Sequence, residues 1–257
     1  MRAPSRPGST TLSALWLYLH AEPAAGAYLL ARCAGFPHLS RLEGALPAAG
    51  AILDVGCGHG LLAILAGALR PERRILGIDR IAARVAAGNE VARRAGLANV
   101  ELREGLLETL PEGPFDAITL VDVLMYRPLA AQEAVLADCR RRLAPGGRLV
   151  IKEQLVRPRW KSRLVRLQET LVMGLKTTLA RDSPWSRIAP DGIHLWEEEA
   201  LCARLAGLGL AVRSRPLHDG SYLSHHLVIG EAASSRPASG PAPPGAADPR
   251  RPARTAA

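Results

Sequence analysis

Two rhythms of apolar residues alternate along this chain. Leu12, Leu15, Trp16 and Leu19 recur at the three- and four-residue spacing of one helical face, which predicts helix from about residue 12 to 46. AILDV (51–55) is a short unbroken apolar run, the pattern of a buried strand, and LLAILAGALR (61–70) follows as a helix ended by Pro71. RILGID (74–79) repeats the strand pattern and leads into the helix IAARVAAGNEVARRAG (81–96), with Gly96 as its C-cap. NVELRE (99–104) is a third strand, LPEGP a turn, and FDAITLVDV (115–123) a fourth strand. Pro128 opens the helix LAAQEAVLADCRRRL, which APGG terminates before a fifth strand, RLVIKE (148–153).

Strands this short and apolar, alternating with helices, predict a parallel sheet covered on both faces. Its core spans about residues 50–153. Beyond it, WKSRLVRLQETLVMGLKTTLA (160–180) has the pattern of a long helix with one apolar side, and SPWSRIAPDGIH (183–194) is loop. A helix near 196–208 and two strands, LAVRSRP (210–216) and SYLSHHLVIG (221–230), complete the fold, the strands as an antiparallel pair at the sheet edge. From Ala232 onward the chain is Ala, Pro, Gly, Ser and Arg without aliphatic periodicity, and disorder is expected there. The expected organisation is a helical segment over 1–46, a domain over 47–231 with an acceptor-side part at 154–195, and a tail over 232–257.

Composition narrows the class. With 48% hydrophobic residues in 257, the chain can build one large core. Cys33, Cys57, Cys139 and Cys202 are widely spaced, with no CxxC pair and no His/Cys cluster at ligand spacing. That points to a reducing, cytoplasmic location and to no structural metal. LSALWLYL near the N-terminus is too short and ill-flanked for a signal peptide, and no run approaches the ~20 apolar residues of a membrane span.

The net charge of +9 is concentrated. Arg140, Arg141, Arg142, Arg148, Lys152, Arg157, Arg159, Lys161, Arg163 and Arg166 stand against Glu153 alone, so the rest of the chain balances to zero. Two readings stay open: a solvated arginine-rich face, or a surface for an anionic substrate or partner.

ILDVGCGHG (52–60) carries the candidate chemistry. Glycine at 56, 58 and 60, between a strand and a helix, lets a ligand approach backbone N–H groups. The loop is G-x-G-x-G, not the G-x-G-x-x-G of dinucleotide-binding dehydrogenases. Asp54 beside it disfavours a pyrophosphate and favours an ammonium or sulfonium, while Asp79, ending the second strand, can accept both hydroxyls of a ribose. A ligand with a ribose and a cationic amino-acid end satisfies both acids, and S-adenosylmethionine is one.

Together ILDVGCGHG, GID and LAPGGRLVIKE resemble the class I S-adenosylmethionine-dependent methyltransferases, over roughly residues 50–153. The resemblance implies a Rossmann-like, doubly wound α/β fold with a mostly parallel seven-stranded sheet. It also implies S-adenosyl-L-methionine as cofactor. By position, Asp54, Gly56, Cys57, Gly58 and Gly60 would surround its methionine part, Asp79 its ribose, and Arg80 and Ile81 its adenine. Where many relatives place an acid after the third strand, this chain has EGLLE, so Leu106 offers packing and backbone only. The region from 154 to 230 is similar, more loosely, to bacterial methyltransferases of lipid or polyketide-type pathways. That implies a lid over the acceptor pocket.

Methyl transfer is an in-line displacement, and a general base is needed only where the acceptor carries a proton. Candidates belong at the carboxyl ends of strands four and five: Asp122, which also borders the cofactor's methyl, with Tyr126, Lys152 and Glu153. His194, after the APDG loop, is a further catalytic candidate. Alternation sends the neighbours His225 and His226 to opposite faces, so at most one faces a pocket. VDVLMY stands where nucleic-acid enzymes carry NPPY or DPPY, and aromatic residues make up only 4% of the chain. The expectation is therefore methyl transfer to a small or carrier-bound, anionic acceptor, at oxygen. An RNA methyltransferase and a cofactor-binding protein without turnover are the alternatives.

Overall fold

The computed structural model describes residues 18, 39–106, 108–109, 111–156, 193–217 and 225–234. In chain order these form α1 (Leu39–Glu43), β1 (Gly50–Val55), α2 (Leu61–Leu69), β2 (Arg73–Asp79), α3 (Ala82–Arg94), β3 (Val100–Glu104) and β4 (Phe115–Val121). A 3-10 turn (Leu124–Tyr126) follows, then α4 (Leu129–Arg142), β5 (Leu143–Gln154), α5 (Glu198–Gly207), β6 (Leu210–Pro216) and β7 (His225–Ala232). The expected helix at 160–180, most of the first helix and of the 154–195 lid, and the tail from 235 lie outside the described residues.

The strands form one sheet in the order β3-β2-β1-β4-β5-β7-β6. β1 to β5 pair in parallel, and β7 runs antiparallel to both β5 and β6. The expected antiparallel pair is present, with β6 outermost and β7 one place in. Because successive side chains point to opposite faces, the strands feed two cores. Ile52, Ala117, Val150 and Leu227 pack with Ile64 of α2 and Val85 and Val91 of α3. Leu53, Ile118, Leu149 and Val228 pack on the other side with Leu136 of α4 and Leu201 and Leu205 of α5.

Local signals set several boundaries. Gly96, at φ +69°, closes α3: its N–H donates to the Arg93 carbonyl at 3.1 Å, and the Leu97 N–H to the Ala92 carbonyl at 3.0 Å, a left-handed cap. Buried Arg73 ties α1 to β2 by donating to the Glu43 carboxylate at 2.8 Å and the Pro47 carbonyl at 2.7 Å.

Three expectations need correction. β4 stops at Val121, two residues early, because Asp122 adopts φ +53° and turns the chain. β5 begins at Leu143, since residues 143–147 continue directly from α4 and Leu143 already pairs with Phe115 across a bulge. Ala232 does not begin a disordered tail: it is buried, ends β7 and pairs with Leu210, while the Ala233 carbonyl accepts the Gly146 N–H at 3.1 Å. Among the described residues, no helix is long and apolar enough to cross a membrane.

Candidate functional site

The sheet changes direction of winding between β1 and β4, and the loop after β1 opens at that switch point, where doubly wound sheets bind ligands. Gly56, Gly58 and Gly60 all have positive φ (+68°, +59° and +79°), a conformation that L side chains rarely adopt. They are bare for different reasons. A Cβ on Gly56 would lie 2.5 Å from Val123, and one on Gly60 2.5 Å from Leu102, so these two permit close packing. Among the described residues, a Cβ on Gly58 would meet nothing within 4 Å. Toward them Gly58 therefore presents bare backbone, as a cradle requires.

Asp79 braces that cradle from the next strand. Its Oδ2 accepts the Gly58 N–H and its Oδ1 the Ile81 N–H, both at 2.9 Å. Each carboxylate oxygen keeps a second lone pair for another donor. Asp54 is 3% exposed and accepts the Thr119 hydroxyl at 2.5 Å. Burial pushes its carboxyl up to about 7, with the Asp79 charge adding and the Thr119 hydrogen bond opposing. A cation in the cradle would favour the ionised form.

The other loop side chains are chemically quiet. Burial pushes the Cys57 thiol well up, helped by Asp54 and Asp79, which makes it a poor nucleophile. Burial and the Arg84 charge hold His59 down at about 4, so its imidazole is neutral at pH 7. The His59 carbonyl accepts a hydrogen bond from the hydroxyl of Tyr18, which is fully buried against the loop. Tyr18 escaped the sequence reading; its one cue was a hydroxyl inside an apolar run. Arg80 is exposed, Ile81 partly exposed, and Leu106 49% exposed after β3.

A second group lies at the ends of β4, β5 and β7. Lys152 Nζ donates to Asp122 Oδ2, and His225 Nε2 stands 3.8 Å from Asp122 Oδ1. The Asp122 N–H also donates to the Lys152 carbonyl at 2.8 Å. Glu153 Oε1 accepts the N–H groups of both Val123 and Leu124 at 2.7 Å, which holds the turn that reverses the chain at Asp122. Burial pushes Glu153 up to about 8, with the Asp122 charge adding; the two N–H groups and Lys152 oppose. Among the described residues, the buried Glu153 Oε2 and Gln154 Oε1 find no hydrogen-bond partner.

Strand register sorts these groups by face. Asp54 pairs with Thr119, Thr119 with Val150, and Gln154 with His225, so Asp54, Lys152, Gln154 and His225 share one face. Glu153 and His226 take the other, where His226 Nε2 lies 3.2 Å from Glu198 Oε2 and Ser214 donates to Glu198 Oε1 at 2.7 Å. The neighbouring histidines diverge as alternation requires. Tyr126 ends the 3-10 turn, and the His194 N–H donates to the Met125 carbonyl at 2.9 Å, which brings His194 beside it. Gln132 anchors this junction: fully buried, it donates to the carbonyls of Arg127 at 2.7 Å and His194 at 3.0 Å and accepts the Trp196 indole N–H at 2.6 Å. No sequence pattern singled it out.

The described members of the basic run are engaged within the molecule. Arg140 donates to the Leu208 carbonyl at 3.1 Å, Arg141 and Arg142 pair with Asp138, Arg148 with Glu231 at 3.1 Å, and Lys152 with Asp122. Arg157, Arg159, Lys161, Arg163 and Arg166 lie outside the described residues. Among the described residues, no group of three or more His, Cys, Asp or Glu is placed to hold a metal.

Comparison with known proteins agrees with this geometry. Residues 27–215 match the model of a family described as a methyltransferase domain. A demethylmenaquinone methyltransferase of Thermus thermophilus is 31% identical over 68% of this chain and 80% of its own length. A 37.1 kDa transposon protein of Streptomyces fradiae is 42% identical over 43% of this chain, and the match spans only 30% of that relative. Among solved structures, an O-methyltransferase family protein from Burkholderia thailandensis superposes with a TM-score of 0.65 at 18% identity, over 88% of this chain and 64% of that one.

Proposed function

The chain belongs to the class I S-adenosylmethionine-dependent methyltransferases, and on that premise we propose that it methylates an oxygen of a small or carrier-bound acceptor. The observation that supports this best is the bare Gly58 backbone, which no described residue approaches and which the Asp79 carboxylate braces, with buried Asp54 on the strand that leads into the loop. Those residues fit a cationic nucleoside. Asp54, Gly56, Cys57, Gly58 and Gly60 would hold its methionine part, Asp79 its ribose hydroxyls, and Arg80, Ile81 and Leu106 would border its adenine. When bound, S-adenosylmethionine supplies an electrophilic methyl group on a sulfonium.

The protein's own task is then alignment and exclusion of water. Asp122 would lie on the methyl side, with Tyr126 and His194 orienting the acceptor. An oxygen acceptor must lose a proton, and a buried cluster of carboxylate, ammonium and imidazole suits that need. The free thiols of Cys57, Cys139 and Cys202 suit a reducing cytoplasm. RNA gains little support, because the described arginines of the basic run are spent on internal contacts. The same engagement weakens the case for an anionic acceptor.

Calorimetry with S-adenosylmethionine and with NAD tests the cofactor assignment; the expected result is micromolar binding of the first and none of the second. Incubation of the protein with methyl-labelled donor and, in parallel, a small-molecule extract and total RNA tests the acceptor. Label in hydroxyl-derived methyl ethers supports the reading, and label confined to RNA overturns it.

A further inference from the structure

Asp122 is the residue nearest in sequence logic to a general base, yet its carboxylate is already shared. One oxygen receives Lys152, which is 2% exposed; the other faces His225 Nε2 at 3.8 Å. With one oxygen committed to that ammonium, the carboxylate is engaged as a counter-ion. What the pair does well is stabilise a positive charge on the imidazole beside it. We propose that His225 is the proton acceptor of the transfer step and that Asp122, held by Lys152, is its positioning residue. The assignment rests on the oxygen-methyltransferase reading above.

Three structural features place His225 for this. It begins β7, whose antiparallel course brings it to the same sheet end as Asp122 and Lys152. It shares the Asp54 face of the sheet, the face on which the cradle stands, while His226 is committed to Glu198 on the other. Its neighbour Gln154, in register with it, offers a buried carbonyl oxygen that receives no hydrogen bond from the described residues, and a hydroxyl-bearing acceptor can supply one.

In the step, the acceptor oxygen forms a bond to the methyl carbon while the carbon–sulfur bond breaks and its electron pair stays on sulfur. The acceptor's hydroxyl proton passes to Nδ1, the ring nitrogen away from Asp122, and the imidazolium is offset by that carboxylate until it returns the proton to solvent.

Among the described residues, the charged groups around His225 are Asp122 and Lys152 on its own face, Glu153 across the sheet, and exposed Arg215 on β6; Arg41 of α1 reaches the Leu217 carbonyl at 2.7 Å, and the Leu217 N–H donates to the His225 carbonyl at 2.9 Å. The test measures S-adenosylhomocysteine release from S-adenosylmethionine with the small-molecule extract as acceptor, from pH 5 to 9, beside calorimetric cofactor affinity. For wild type, the rate should rise through the imidazole range. H225Q should lose about a hundredfold or more in rate, and its pH dependence, with cofactor affinity within about twofold. D122N keeps the imidazole but removes its counter-charge beside Lys152, so its rate should fall and its midpoint move to lower pH. A wild-type rate and profile in H225Q, or an unmoved midpoint in D122N should H225Q not fold, overturns the assignment alone. Failure of the wild-type protein to bind S-adenosylmethionine overturns it together with the methyltransferase reading.

Discussion

Asp79, at the end of β2, accepts the Gly58 N–H at 2.9 Å, so the acid that would meet the ribose also shapes the loop that would meet the methionine. The two halves of the cradle are thereby one unit. Its second bond, from the Ile81 N–H, fixes the turn into α3.

Replacing Asp79 should therefore do more than delete one ligand contact. Asp79→Ala leaves two backbone N–H groups without an acceptor and removes the ribose partner. At about 1.5 to 3 kcal/mol for a charged hydrogen bond, S-adenosylmethionine affinity should fall ten- to a hundredfold by calorimetry. Asp79→Asn keeps one acceptor oxygen and should fall between. Unchanged affinity in both variants places the ribose elsewhere.

The three loop glycines should separate into two behaviours. At Gly56 an added Cβ meets Val123 at 2.5 Å on top of the positive φ, so Gly56→Ala should be destabilised by overpacking and strain together, about 2 to 5 kcal/mol in urea unfolding. At Gly58 the added Cβ meets none of the described residues, so strain remains and Gly58→Ala should lose about 1 to 2 kcal/mol. Its cofactor affinity should nonetheless drop, because the added methyl occupies the cradle; Gly58→Val should abolish binding.

What the sequence disclosed and what it hid differ by range. Apolar runs, glycine at a C-cap and the acids ending two strands are local signals, and they located β1 to β4 within two residues, the end of β5 within one, and the glycine loop between β1 and α2. The end of β4 was misplaced because the turn at Asp122 is held by Glu153, thirty-one residues later, and nothing near Val121 announces that. His225 meets Asp122 only because β7 inserts between β5 and β6, a pairing no spacing reveals. Tyr18 and Gln132 act through single backbone contacts across the fold, and such contacts leave no periodicity.

Glu153 supports the turn through one oxygen, which makes its variants informative. Glu153→Leu leaves the Val123 and Leu124 N–H groups buried without an acceptor, at about 1 to 3 kcal/mol each, and should show a clearly lower urea midpoint. Glu153→Gln retains an acceptor oxygen and gives up the buried charge. It should match or exceed wild-type stability at pH 8.

Two raised carboxyls imply an unusual pH dependence of stability. A carboxyl whose folded pKa exceeds its unfolded value binds a proton more tightly in the folded state, so its contribution is complete below the unfolded value and is lost as pH rises through the folded one. For Asp54 the window runs from 3.8 to about 7, and the shift corresponds to about 4 kcal/mol as an upper figure; Glu153 extends it towards 8. The ligand-free protein should therefore unfold at lower temperature at pH 8 than at pH 6. Asp54→Asn, which still accepts from Thr119, should flatten much of that slope.

Cofactor binding should pull the same proton off. With its carboxyl at about 7, Asp54 is protonated in a large fraction of ligand-free molecules at neutral pH. A sulfonium and an ammonium brought into the cradle favour the carboxylate, lowering its pKa in the complex, so association must release a fraction of a proton. Affinity is then greatest above pH 7 and weakens as pH falls below it, by up to about tenfold per unit until the bound-state pKa is reached. Calorimetry at pH 7 in two buffers of different ionisation enthalpy should give apparent enthalpies that differ by the released fraction times the difference between the two ionisation enthalpies. S-adenosylhomocysteine, which keeps the ammonium but lacks the sulfonium, should release less. Asp54→Asn should release none through this residue and should bind with little pH dependence between 6 and 8. Equal enthalpies in both buffers for the wild-type protein would show that the cation does not settle beside Asp54.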